Sequence, residues 1–178
     1  MDENISDNIQ SAYELAEHYH DEDDTINAEK WALKAMELGG ENKAPQLLAK
    51  IALETKSKSS AITLASYFFK EHKDFEKALV WANIAIKFGS ESVAPQLLEK
   101  IALETKSKDI AFKLALYYLK RSDVVNAKRL AEKAIEFHSQ SAVKLLVVIE
   151  AHRQGLLLQE EVREINREMG LHNSKMAL

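Results

Sequence analysis

The stretch "HYHDEDD" at residues 18 to 24 sets two histidines beside four carboxylates, the side chains that bind zinc and other divalent ions. The spacing argues the other way. His18 and His20 are two residues apart, so on a helix they point to nearly opposite sides, and acids gather at helix starts for the dipole alone. A capped, solvated turn is the favoured reading of His18, His20, Asp21, Asp23 and Asp24, and no metal is assigned.

The "KSK" triplets at 56 to 58 and 106 to 108, with Lys70, Lys120 and Arg121, are of the residue types that could touch phosphates. Lysine also favours the negative end of a helix dipole, and the net charge of -4 disfavours nucleic acid as a partner. With no cysteine, the chain has no disulfide, thiolate metal site or thiol nucleophile, which fits the cytoplasm. It also lacks a Gly-rich phosphate loop, an HExxH helix and a nucleophile elbow. The catalytic hypothesis that survives is an active site assembled from distant helices. No residue singles it out, so the expectation is a non-enzymatic protein without a cofactor.

The chemistry-bearing residues sit on a chain built for helices. Five glycines and two prolines leave little turn chemistry for strands, while Ala, Leu, Lys and Glu dominate. The longest apolar run, "LLVVI" at 145 to 149, falls far short of the roughly 20 residues that span a bilayer. The opening "MDENISDNIQ" has neither the basic nor the apolar region of a secretory signal. Of the 28 acids, nine lie in residues 1 to 24, which hold no Lys or Arg, so the remaining 154 residues carry +5.

An internal repeat organises the whole. "APQLLAKIALETKSK" at 44 to 58 returns as "APQLLEKIALETKSK" at 94 to 108, with Ala49 against Glu99 the one change in fifteen. "SAYELAEHYH" (11 to 20) aligns with "SAITLASYFF" (60 to 69) and "IAFKLALYYL" (110 to 119). "AEKWALKAMELG" (28 to 39), "ALVWANIAIKFG" (78 to 89) and "AKRLAEKAIEFH" (127 to 138) share Ala at positions one, five and eight, helical spacing that lets two helices approach closely. Three helices per unit follow: a first near 9 to 20, 59 to 71 and 109 to 121, a second near 25 to 38, 75 to 88 and 124 to 137, and a third near 43 to 55, 93 to 105 and 140 to 153.

Asp24, Asp74 and Ser122 or Asp123 stand as N-caps of the second helices, and Gly39 and Gly89 as their C′ residues. Pro45 and Pro95 fall in the first turn of the third helices. The sequence leaves open whether "KSKSS" separates the third helix from the next first helix or carries one long helix through. An amphipathic segment at 156 to 169, ending at Gly170, is expected to cap the stack, with 171 to 178 a flexible tail. The fold class is thus all-α: a short right-handed α-solenoid of about three units (about 9–58, 59–108 and 109–155), period about 50, in one domain over 1–170.

These residues resemble the tetratricopeptide repeat, which has Leu, a small neighbour, an aromatic four after the Leu, then two alanines seven apart. Leu15, Ala16, Tyr19, Ala28 and Ala35 fit that pattern, as do Leu114, Ala115, Tyr118, Ala127 and Ala134. Leu64, Ala65, Phe68, Ala78 and Ala85 fit with one residue inserted. "KWALKAMELG" also resembles the Sel-one-like repeats. The resemblance implies adaptor, scaffold or chaperone-like binding of a peptide segment or folded protein. It also implies a groove lined by the first helices, which maps to Tyr13, Glu17, His20, Ile62, Ser66, Phe69, Lys70, Phe112, Leu116, Leu119 and Lys120; several of these read as core.

A second candidate surface comes from the duplication itself. Ala44, Leu47, Leu48, Ile51, Ala52 and Thr55 form an apolar stripe whose repetition packing explains. Gln46, Lys50, Glu54, Lys56, Ser57 and Lys58 face solvent by the same spacing, yet Gln96, Lys100, Glu104, Lys106, Ser107 and Lys108 repeat them while the flanking helices have drifted. A shared binding role or a recent local duplication accounts for this. Two further alternatives stand: a dedicated inhibitor or immunity-type protein that occludes one effector, and self-association of copies through the acidic N-terminal helix.

Overall fold

In the computed structural model, residues 3–40 and 43–155 are described, with side chains from residue 8 onward. The expected cap at 156–169 and tail at 171–178 lie outside the described residues. Nine helices and no strand occur among the described residues, so the chain is all-α and solenoid-like in its repeated helix order. They are α1 (Glu3–Asp21), α2 (Thr25–Glu37), α3 (Lys43–Thr55), α4 (Lys58–Lys70), α5 (Phe75–Lys87), α6 (Val93–Thr105), α7 (Lys108–Lys120), α8 (Val124–Glu136) and α9 (Gln140–Arg153).

Each class of junction repeats its own turn chemistry. Asp24, Asp74 and Asp123 cap α2, α5 and α8 by accepting from the backbone N–H of Asn27, Lys77 and Asn126 at 3.2, 3.0 and 3.1 Å. A left-handed residue precedes each cap, Asp23, Lys73 and Ser122 with φ of 58°, 53° and 60°. Asp24 N–H bonds Tyr19 O and Asp123 N–H bonds Tyr118 O, five back, whereas Asp74 N–H reaches Phe68 O, six back; that is the inserted residue. Gly39, Gly89 and His138 end the second helices at φ 96°, 90° and 68°. The residue after each closes a Schellman bond to Ala35, Ala85 or Ala134 at 2.8 to 2.9 Å.

The "KSKSS" stretch breaks the chain into separate helices. Lys56 and Lys106 adopt φ of 53° and 50°, and Ser57 and Ser107 bond back to Ala52 O and Ala102 O at 3.1 and 2.9 Å. Both serines then cap the next helix through the N–H of Ser60 and Ile110.

The described residues form two compact units that divide between Ala94 and Pro95. In the first, α1 packs on both α2 and α3, and α4 on α3 and α5. Its main cluster joins Ala12, Ala16, Ala28, Ala32, Ala35, Leu47, Leu48, Ile51 and Leu64. In the second, α7 packs on α8 and α9, and α8 on α9. Ala127, Ala131 and Ala134 are fully buried there, as Ala28, Ala32 and Ala35 are in the first unit, so the alanine stripe marks a close helix approach in both. No helix among the described residues is long and apolar enough to cross a membrane.

Candidate interaction surface

The two copies of the duplicated helix present the same ridge. Pro45, Leu47, Leu48, Ile51 and Ala52 of α3 are buried, and so are Pro95, Leu97, Leu98, Ile101 and Ala102 of α6. On the opposite side Gln46, Lys50 and Glu54, and likewise Gln96, Lys100 and Glu104, are exposed, as are Lys58 and Lys108 opening α4 and α7. Leu53 and Leu103 complete each ridge at 53% and 41% exposure. The sequence reading passed over both leucines, although position 53 lies seven beyond Gln46 and so on the same face.

Part of the duplicated polar sequence is structural. Thr55 and Thr105 are exposed, not members of the buried stripe, and their hydroxyls donate to Ile51 O and Ile101 O at 2.8 and 2.7 Å. Lys56 and Lys106 supply the left-handed residue, and Ser57 and Ser107 the caps. What remains without a packing role is Gln, Lys, Leu and the flanking lysines.

The groove residues divide. Phe69, Phe112, Leu116 and Leu119 are buried, so those positions are core. Ile62 and Ser66 are half-buried, and Lys70 and Lys120 are exposed at the ends of α4 and α7. In α1 the Tyr13 hydroxyl donates to Glu17, which pushes the phenol up to about 12. His20, only 13% exposed at its side chain, meets Glu54 at 2.8 Å. The two candidate sets meet there in the first unit. His18 instead lies 3.6 Å from Glu22, so the two histidines take different partners. Among the described residues no group of three or more His, Cys, Asp or Glu is placed to hold a metal.

No family model and no curated protein matches the chain. The reading of the surface therefore rests on its own chemistry.

The single divergent position of the duplication has a partner. Glu99 forms a two-pronged pair with Arg129 of α8, at 2.5 and 2.8 Å, and holds the guanidinium pKa above its usual value. The Tyr118 phenol is pushed up first by burial and then by Glu99. Ala49, at the matching place in α3, packs on the apolar core of the first unit.

Proposed function

We propose that the chain is a non-enzymatic protein-binding module of tetratricopeptide or Sel-one-like kind, acting in the cytoplasm as an adaptor, scaffold or chaperone-like protein. Its recognition surface is the pair of ridges on α3 and α6, and its partner is a peptide segment or a folded protein. The observation that carries this reading is the repetition, fifty residues apart, of Gln, Lys and an exposed Leu that no internal packing requires. Exposed positions of this kind drift freely, because substitution there changes stability by less than about 0.5 kcal/mol. A leucine held half in water at both places is the side chain a partner would bury.

The test compares affinity capture from host lysate by the natural chain and by a variant carrying Gln46→Glu, Lys50→Glu, Gln96→Glu and Lys100→Glu, with circular dichroism confirming that the variant folds. A protein captured by the first and lost by the second is the expected result. Equal capture by both sinks the ridges as the recognition site and returns attention to the first helices.

A further inference from the structure

The division into two units separates charge. Residues 1–94 hold 17 acids against ten Lys and Arg, a net -7, whereas residues 95–178 hold 11 acids against 14, a net +3. Two surfaces of opposite sign, one in each unit, carry part of it. On α1, Glu14, Glu17 and Asp21 are exposed at spacings of three and four, one stripe of a helix with no Lys or Arg from residue 1 to 24. None of these three has a Lys or Arg within ion-pair distance among the described residues. At the α6–α7 junction, Lys100, Lys106 and Lys108 are exposed around Leu103, and none of the three has an ion-pair partner among the described residues. Four other cations pair locally, Lys34 with Glu37, Lys77 with Asp74, Lys133 with Glu136 and Arg153 with Glu150, while Lys50, Lys56 and Lys58 repeat the exposed lysine set at the α3–α4 junction, inside the acidic unit.

We infer that the chain associates head to tail, the acidic stripe of α1 in one copy docking on the lysine-rich α6–α7 ridge of a second copy. The contact is heterologous, since the two surfaces differ, and each copy keeps one of each free for the next. Charge sets its orientation and approach, and Leu103 supplies the apolar centre. The inference rests on the reading of the ridges as recognition surfaces and names the partner of one of them.

Sedimentation of the purified full-length chain across concentration tests it. The weight-average mass is expected to rise above 20.1 kDa with concentration in low salt and to return to that value near 0.5 M salt, where screening reaches within a few ångströms. The triple variant Lys100→Glu, Lys106→Glu and Lys108→Glu stays monomeric, as does Glu14→Lys, Glu17→Lys and Asp21→Lys. Mixing the two folded variants restores association, because each then offers the surface the other lost. A monomer at every concentration in low salt overturns the proposal, and so does association that survives salt or either triple reversal. Lysate capture reads a different protein, and sedimentation of the purified chain reads only its own copies, so failure here is distinguishable from failure of the function proposed above.

Discussion

The α3–α4 and α6–α7 junctions are built from nearly the same residues and differ in what surrounds them. Both end one helix on a left-handed lysine and start the next on a serine cap. At the first, the Ser57, Ser59 and Ser60 hydroxyls all donate to one carboxylate oxygen of Glu29 on α2, the first two at 3.0 and 3.1 Å. Asp109 and Ile110 replace Ser59 and Ser60 at the second, and Leu79 stands in the repeat where Glu29 does. Identical sequence thus sets the turn at both places, while the hydroxyl anchor on a neighbouring helix belongs to the first.

The largest effect tests whether the two copies are equivalent inside. Ile51 and Ile101 are both fully buried. Ile51→Ala and Ile101→Ala each remove a buried side chain, and each is expected to cost about 2–5 kcal/mol in denaturant titrations. Costs differing by more than about twofold would break the equivalence of the two apolar stripes. A smaller effect separates the junctions. Ser60 is fully buried, so Glu29→Leu removes the acceptor of its hydroxyl and leaves it the Ser57 hydroxyl at 3.2 Å, an expected cost of about 1–3 kcal/mol. The double variant Glu29→Leu with Ser60→Ile converts the first junction to the residue types of the second. It should recover much of that loss, a coupling that a double-mutant cycle reads directly. Strict additivity would show that the serine and glutamate do not act as a pair.

The one divergent position offers the next test. Glu99→Ala makes α6 identical to α3 over the fifteen residues and leaves Arg129 without its carboxylate. Glu99 is 19% and Arg129 43% exposed at the side chain, so the expected loss is about 1 kcal/mol and shrinks with added salt. The corresponding residue in α5 is Val80, so unit one carries an alanine and a valine where unit two carries an ion pair. A loss independent of salt would mean that Glu99 acts by packing.

Local rules made most of the fold legible. Aspartate caps, C′ glycines and the alanine stripe placed the second helices within a residue or so, because each signal acts over a single turn. The break at "KSKSS" was not legible for a physical reason: Lys56 and Lys106 take a left-handed conformation that usually calls for glycine, so no residue announced the stop. The surface was harder still. Glu54 read as a free polar residue, yet its partner His20 lies 34 positions away, and Glu29 anchors serines about thirty positions on. Periodicity reports which face a side chain occupies and nothing of what meets it there.

The smallest effect sharpens the same unit-to-unit comparison at the caps. Asp24 has its carboxyl pKa lowered first by the side-chain amide of Asn27 and then by the Asn27 backbone N–H, whereas Asp74 is lowered first by the Lys77 backbone N–H and then by the Lys77 ammonium at 2.9 Å. A carboxyl whose folded pKa lies below its unfolded value of about 3.9 contributes stability that is complete above that value and lost as pH falls through the folded one. The denaturation midpoint should therefore hold steady from neutrality down to about pH 5, then drop on the acid side. Asp24→Asn and Asp74→Asn keep a capping side chain but no titrating charge, so each should flatten that acid limb. Salt should weaken the Asp74 contribution, which includes an ion pair, and leave that of Asp24, held by a neutral amide, nearly unchanged. Equal salt sensitivity at the two positions would show that the caps are electrostatically alike despite their different partners.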